Sequence, residues 1–520
     1  MIRRVTFFVG LLAAAARADT APLPSIVVTE LPSPAALGSS GASISRGPGS
    51  RPWLSWLEPV PGGTHALRFS TLDDAAAGKW SAPRTIAAGP GWFINWADFP
   101  ALTVGPGGRA TAVWFVNNPA AHGAAAGHDH GPGYRAMLSR TTDAGATWSA
   151  PMPLTRESDA VEFVSLATLA DGRVLAAWLD GRGKKSSLPT EASAKEGGNA
   201  QQLFARVIGD TAPDTLIDAS VCDCCQTTLT PFPDGGALLA YRGRTAEEVR
   251  DIRTVRFDGR TWQTPRPLNN DDWRIAGCPV NGPRLASDLG RVSAAWFTAA
   301  DNDARVLASY SPDAGARFLQ PLRIDRGHPA GHVDTLILRD STLLVTWVEN
   351  DGSLWLRRVN PDFSAGEPVA LAPKGAVAIR SFPRSALVRD YTGGTGTAQF
   401  VTAYVSEGAG AALHTLLVTV PEGALLAAQS DCGCTPTPEQ LAGVSMRGIA
   451  VSATTDGTGL RVRHGELPGV MAAGTHDFLA APNVIASVTP GRDFFGRITQ
   501  RDGAWWVFDV RLIGAPPEQR

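Results

Sequence analysis

The sequence predicts an all-β protein, a radial β-propeller followed by a small β-barrel. Three observations carry that prediction. Fifty-five glycines and 39 prolines in 520 residues interrupt the chain too often for an all-helical fold. A short apolar strand ending in an aromatic residue recurs seven times. Beyond the last copy, the pattern changes to five short runs of alternating apolar and polar residues.

The repeat reads "RPWLSWLE", "GRATAVWF", "GRVLAAWLD", "GGALLAYRG", "GRVSAAWF", "STLLVTWVE" and "AQFVTAYVS". Its aromatics are Trp56, Trp114, Trp178, Tyr241, Trp296, Trp347 and Tyr404, spaced 51 to 64 residues apart. Before most of them lies another strand and a glycine-containing turn. After them comes a third strand, then often a W-x-x-P segment such as "GKWSAPRTI" or "RTWQTPRPL". Each copy is therefore a four-stranded antiparallel sheet. Such a sheet cannot bury both faces alone, so the copies must stack around an axis. The last copy holds only three strands, and the N-terminal "PSIVVTELPS" resembles the missing outer one. Seven blades are favoured, with six as the alternative.

The hairpins "SRTTDAGATW" and "SYSPDAGARF" match an S/T-x-D-x-G-x-x-aromatic box, and "FDGRTW" and "STLDDAAAGKW" are degenerate copies. Asp143 and Asp313 are expected to accept backbone N–H groups, while Gly145 and Gly315 supply positive φ. These boxes resemble those of the sialidase superfamily over residues 25–425, and the resemblance implies a six-bladed relative with the boxes on the outer rim. Sialidase activity needs an arginine cluster, a Tyr–Glu pair and an acidic residue. No R-I-P motif occurs here, and of the tyrosines, 241 and 404 hold the repeat's structural aromatic position. Arg182, Arg242 and Asp180 are the residues this reading would place at the channel. The fold by itself assigns no activity.

The chain opens "MIRRVTFFVGLLAAAARADT", a basic start, an apolar stretch and an A-x-A pattern ending at Ala18. That reads as a cleavable signal peptide over 1–18 and a periplasmic protein. The formal net charge is −2. Nothing in it points to nucleic acid, and no later run is long and apolar enough to span a membrane.

A polar linker, 426–445, contains Cys432 and Cys434. The tail, 446–515, reads as a five-stranded barrel of the OB type. Its "RHGELPGVMAAGTHDF" and "VTPGRDFFGRITQRDGAWWVFDVR" resemble the CusF-like family of periplasmic copper-binding barrels. The resemblance implies copper held by a histidine and two methionines. The histidine falls on His464, and the preceding methionine is Met471. The two ligand methionines fall on Gly474 and His476. A His464/His476 pair, with or without Met471, is a harder set than the family's: it moves preference toward Cu(II) or Zn(II) or weakens Cu(I) binding, and the competing reading is a barrel that has lost its metal.

The remaining cysteines gather in the repeat. "SVCDCCQT" places Cys222, Cys224 and Cys225 just before the innermost strand of the fourth copy. Cys278 stands at the same point in the fifth, and His328 and His332 in the sixth. Entry loops of neighbouring blades share one face beside the channel. Two readings follow: one or two disulfides, most simply Cys278 with one of the three, or a thiolate and imidazole site for copper or zinc. The loop carrying His122, His128 and His130 reads either as a low-affinity metal tract or as a loop with incidental histidines. The expected function is copper handling or tolerance, with a periplasmic copper transporter or chaperone as partner. The alternative is an enzyme: a diverged sialidase-like hydrolase or a copper-dependent oxidoreductase.

Overall fold

The computed structural model describes residues 25–117, 134–182, 200–361, 363–390, 397–408, 410–421, 444–467, 470–480, 484–485, 488–501 and 504–512. The segment expected to be a signal peptide, the His122–His130 loop and the Cys432/Cys434 linker lie outside the described residues.

Seven antiparallel sheets stand around one axis. Their innermost strands neighbour one another in a closed ring. Seven blades, not six, result because Val27–Leu31 supplies the outer strand of the last sheet, pairing Val27 with Thr419 and Leu31 with Thr415. Closure of the ring by the N-terminal strand removes an otherwise open sheet edge.

The repeated aromatic sits on the second strand of every sheet, and all seven are buried, with Trp56, Trp178, Trp296 and Trp347 at 0 % exposure. These strands are covered on both faces by adjacent blades, which is why they read as continuous apolar runs such as "ALLAYR". A buried indole N–H requires an acceptor. Trp56 donates to Glu58 at 3.0 Å, Trp178 to Asp180 at 2.9 Å and Trp347 to Glu349 at 2.9 Å. The i, i+2 spacing puts each carboxylate on the indole's own face of the strand. Asp180, expected near the channel, is thus a fully buried partner of Trp178, Ser158 and Arg182 inside its sheet.

The boxed hairpins connect third and fourth strands, as their turn chemistry predicts. Asp143 accepts from the Thr141 hydroxyl at 2.7 Å and the Thr147 N–H at 2.9 Å, and these bonds, those from Thr147 first, hold its carboxyl down at about 2. Gly145 has φ +77°, and a Cβ there would meet Phe69 Cζ of the first sheet at 2.4 Å. Gly145→Ala is therefore expected to cost about 1–3 kcal/mol through left-handed strain and the clash. Urea unfolding followed by tryptophan fluorescence checks it.

The C-terminal strands Val444–Ala453, Gly459–His464, Gly474–Leu479, Asp493–Arg501 and Ala504–Leu512 form a closed barrel. Its core includes Met446, Leu460, Val462, Phe478, Phe494 and Ile498. Among the described residues, no helix is long and apolar enough to cross a membrane.

Candidate functional site

The channel holds a cavity of about 630 Å³ walled by the innermost strands of all seven sheets. At the end where those strands begin, Gln226 spans the mouth. Its amide donates to Ala97 O of blade 2 at 2.8 Å and accepts from Gly282 N of blade 5 at 3.1 Å. Cys225 precedes it, so the cysteine cluster is anchored at this mouth.

Cys222, Cys224 and Cys225 are all buried, and their sulfurs lie within 4.8 Å of one another. Cys224 is bridged to Cys278, with Cα atoms 5.9 Å apart, which staples the entry loops of blades 4 and 5. Cys222 and Cys225 are free thiols with sulfurs 3.4 Å apart. They stand at Cys-x-x-Cys spacing. That signal is present in "CDCC", but the repeat register alone does not draw attention to it. The Cys222 N–H donates to Arg242 O at 3.0 Å, tying the cluster to the second strand of its own blade.

Two guanidiniums attend the sulfurs. Arg250 donates to Cys222 Sγ at 3.4 Å and is held there by Glu248 at 2.7 Å. Arg242 is 1 % exposed. It gives its hydrogen bonds to the carbonyls of Arg250, Asn281 and Phe297 at 2.7–3.1 Å. Those bonds go to carbonyls rather than carboxylates, so its charge acts on the sulfurs. The Cys225 thiol, and then the Arg242 and Arg250 charges, bring the Cys222 thiol down to about 6 against the pull of burial. Burial and the neighbouring Cys222 push the Cys225 thiol up. The pair is therefore biased toward a thiolate on Cys222, with the proton kept on Cys225. Titration of thiolate ultraviolet absorbance should show one step with a midpoint near pH 6, well below an ordinary cysteine. A single step at ordinary cysteine values would contradict it.

The backbone around the cluster is strained. Phe163, Val280 and His332, from three blades, have φ of 53°, 48° and 49°. Phe163 and Val280 pack directly on the cysteines. Bulky residues held at positive φ concentrate at sites that the surrounding structure over-determines.

The expected imidazoles stand differently. His328 is exposed. His332 is buried against Phe382, ring centroids 4.3 Å apart, and burial lowers its pKa to about 4. Its backbone N–H donates to Asn281 Oδ1 at 2.8 Å, and the Asn281 N–H in turn donates to Cys225 sulfur. Neither histidine belongs to the group of sulfurs within ligand distance. Arg242, expected along the channel, is instead a buried brace between blades 4 and 5. Sequence reasoning missed Arg250, Glu248 and Asp98. Asp98 is buried at the same mouth, accepts from Tyr134 Oη at 2.8 Å and Phe163 N at 2.9 Å, and has its carboxyl pushed well up by burial. Packing across blades brings Asp98 there, and the loop between the second and third strands of blade 4 brings Arg250 and Glu248.

In the barrel, His464 Nε2 and His476 Nδ1 are 2.9 Å apart, and His464 Nδ1 donates to Gly465 O at 2.7 Å. That bond leaves Nε2 with its lone pair facing His476. Phe478 lies edge-on to His464 at 5.6 Å. A Cβ at Gly474 would stand 2.9 Å from His476 Cε1, so the glycine makes room for that ring. Met471 is half-buried and packs on the barrel core, its N–H bonded to Leu467 O. Two nitrogens on one tetrahedral ion, each at ~2.0 Å, stand roughly 3.3 Å apart, so a small opening of the pair would admit one.

The family model described as BNR repeat-like domain matches residues 66–367. No curated protein matches the chain. Among solved structures, a Burkholderia pseudomallei lectin is 12% identical, with 74% of this chain and 96% of that one covered at a TM-score of 0.49. The Ruminococcus gnavus intramolecular trans-sialidase is 10% identical, covering 64% and 96% at 0.40. An ulvan lyase is 11% identical, covering 76% and 96% at 0.44.

Proposed function

The chain belongs to the BNR repeat-like family, and on the strength of its cysteine cluster, which that membership does not explain, we propose that it is an exported metal-handling protein whose propeller holds a soft, thiophilic ion at Cys222 and Cys225. The observation that carries this is the pair of free, buried thiols Cys222 and Cys225, their sulfurs 3.4 Å apart beside a guanidinium that favours thiolate. Soft thiolates select Cu(I), and zinc is the borderline competitor. Two thiolates on one tetrahedral ion at ~2.3 Å stand roughly 3.8 Å apart, a few tenths beyond the 3.4 Å seen here. The His464/His476 pair of the barrel, read through its CusF-like resemblance, is the second site. In this reading the protein works in the periplasm and exchanges copper with a transporter or chaperone. Anaerobic titration with Cu(I) against a chromophoric chelator tests it. One tightly held ion in the propeller supports the proposal, and none at any accessible affinity ends it.

A carbohydrate-active function is the second reading, and family membership favours it. The channel is wide enough for a sugar, and Arg284 and Arg384 are on its wall. Arg284 pairs with Asp334 at 2.9 Å, while Arg384 is buried and donates to the Val333 and Pro383 carbonyls. Cleavage of a sialoside or polyuronate, lost on Arg284→Gln, would establish this reading. The cysteine cluster supports metal handling, while the family and the channel cavity support this second reading.

A further inference from the structure

We propose that the four propeller cysteines form an internal disulfide relay, in which the Cys224–Cys278 bridge passes to Cys222 and Cys225 whenever no metal ion holds that pair. The second half of this inference, control by the ion, rests on the metal-handling reading. The relay itself does not.

The geometry supplies each participant. A dithiol at Cys-x-x-Cys spacing lies against an existing disulfide, with the Cys222, Cys224 and Cys225 sulfurs within 4.8 Å of one another. Cys222 is the nucleophile, because Arg250 donates to its sulfur and thiol–disulfide exchange proceeds through the thiolate. Cys225 is the resolving thiol, 3.4 Å from Cys222.

The step balances without an outside reagent. The Cys222 thiolate attacks Cys224 Sγ, a Cys222–Cys224 bond forms, the Cys224–Cys278 bond breaks and Cys278 leaves as a thiolate. Cys278 takes the Cys225 proton through solvent. The Cys225 thiolate then attacks Cys222 Sγ, and Cys224 leaves as a thiolate. One disulfide is broken and one made, and no electron leaves the protein. The bridge that joins blades 4 and 5 has become a local one within a single loop. An ion held by Cys222 and Cys225 takes up the attacking electron pair, so the staple across the blades stays closed while metal is bound and is released when metal departs.

Disulfide mapping of the full chain tests this. Metal-free protein is kept anaerobically in thiol-free buffer at pH 8, quenched in acid, denatured, alkylated and digested. A Cys222–Cys225 bridge should appear over minutes to hours, with Cys224 and Cys278 alkylated. Cys225→Ser should stop at the Cys222–Cys224 bridge with Cys278 alkylated, and Cys222→Ser should retain Cys224–Cys278 alone. One equivalent of Cu(I) should suppress the change in the wild type. If metal-free wild type keeps only Cys224–Cys278, the relay is overturned, whether or not Cu(I) binds. If the bridge moves equally with and without one equivalent of bound Cu(I), control by the ion is overturned. A bridge that moves in a protein that binds no Cu(I) upholds the relay and refutes the metal-handling reading. Because the wild-type map decides the matter, a variant that failed to fold would not shield the proposal.

Discussion

Replacing Cys222 and Cys225 together by serine is expected to weaken Cu(I) binding by the propeller about 10⁴-fold or more. Cys222 and Cys225 are the two free thiols assigned to that ion, so the variant removes both of its assigned ligands, and each ~1.4 kcal/mol lost is a factor of ten. The measurement is chelator competition in a His464→Ala/His476→Ala background, so that the barrel does not compete. Serine keeps the side-chain shape, although a buried hydroxyl without a partner costs ~1–3 kcal/mol, so a thermal melt accompanies the titration. An affinity unchanged in a folded protein would sink the propeller site. The single Cys225→Ser variant adds a sharper reading. It replaces the thiol that is the largest influence lowering Cys222, so the thiolate midpoint should move from that of the wild type.

Much of this architecture is legible in the sequence, because a propeller repeats its constraints seven times. The aromatic of each second strand must be buried between blades, and the glycine of each box must take positive φ. Val27–Leu31 is identifiable as the closing strand because the last copy is one strand short and its alternation fits an edge. The barrel is legible for a similar reason: five alternating runs allow few ways of closing. The candidate site is only half legible. Register places Cys222, Cys224, Cys225 and Cys278 at one end of the channel, since entry loops share a face whatever their sequence. Register says nothing of where an entry-loop side chain turns. A positive φ at His332 and a bulged strand start set its ring against Phe382 rather than among the sulfurs. Arg250 and Glu248 reach Cys222 from the far end of a loop after the second strand. No short-range pattern marks such a contact. Asp180 shows the opposite failure. A carboxylate at the end of a strand reads as a channel acid, yet its spacing to Trp178 makes it an indole acceptor, the role Glu58 and Glu349 repeat.

Arg242→Met should lower unfolding free energy by about 3–5 kcal/mol, at about 1–3 kcal/mol for each buried carbonyl left without its donor. Arg242 is buried between blades 4 and 5, its guanidinium 4.8 Å from the Trp273 ring centroid. Methionine fills much of the same space. It leaves the carbonyls of Arg250, Asn281 and Phe297 without their donor in a place water does not reach. Asn281 also donates to Cys225 and accepts from His332, so the loss should reach the site as well as the fold. The charge effect has a sign that pH reveals. Cys222 has a folded-state pKa depressed to about 6, below that of an unfolded cysteine, ~8.5. Its contribution to stability is fully present above ~8.5 and is lost as pH falls through about 6. Arg242→Met removes part of that contribution, so the gap between variant and wild type should widen as pH rises from 6 to 8.5. Arg242→Lys separates the two roles. It keeps the charge, and with it much of the low thiolate midpoint, but brings three donors on a flexible stem in place of a planar fork. It should therefore recover the pH profile more fully than the stability. Urea unfolding at three pH values, paired with the thiolate titration, distinguishes these outcomes. A methionine variant within about 1 kcal/mol of wild type at every pH would show that the buried guanidinium neither braces the blades nor biases the sulfurs.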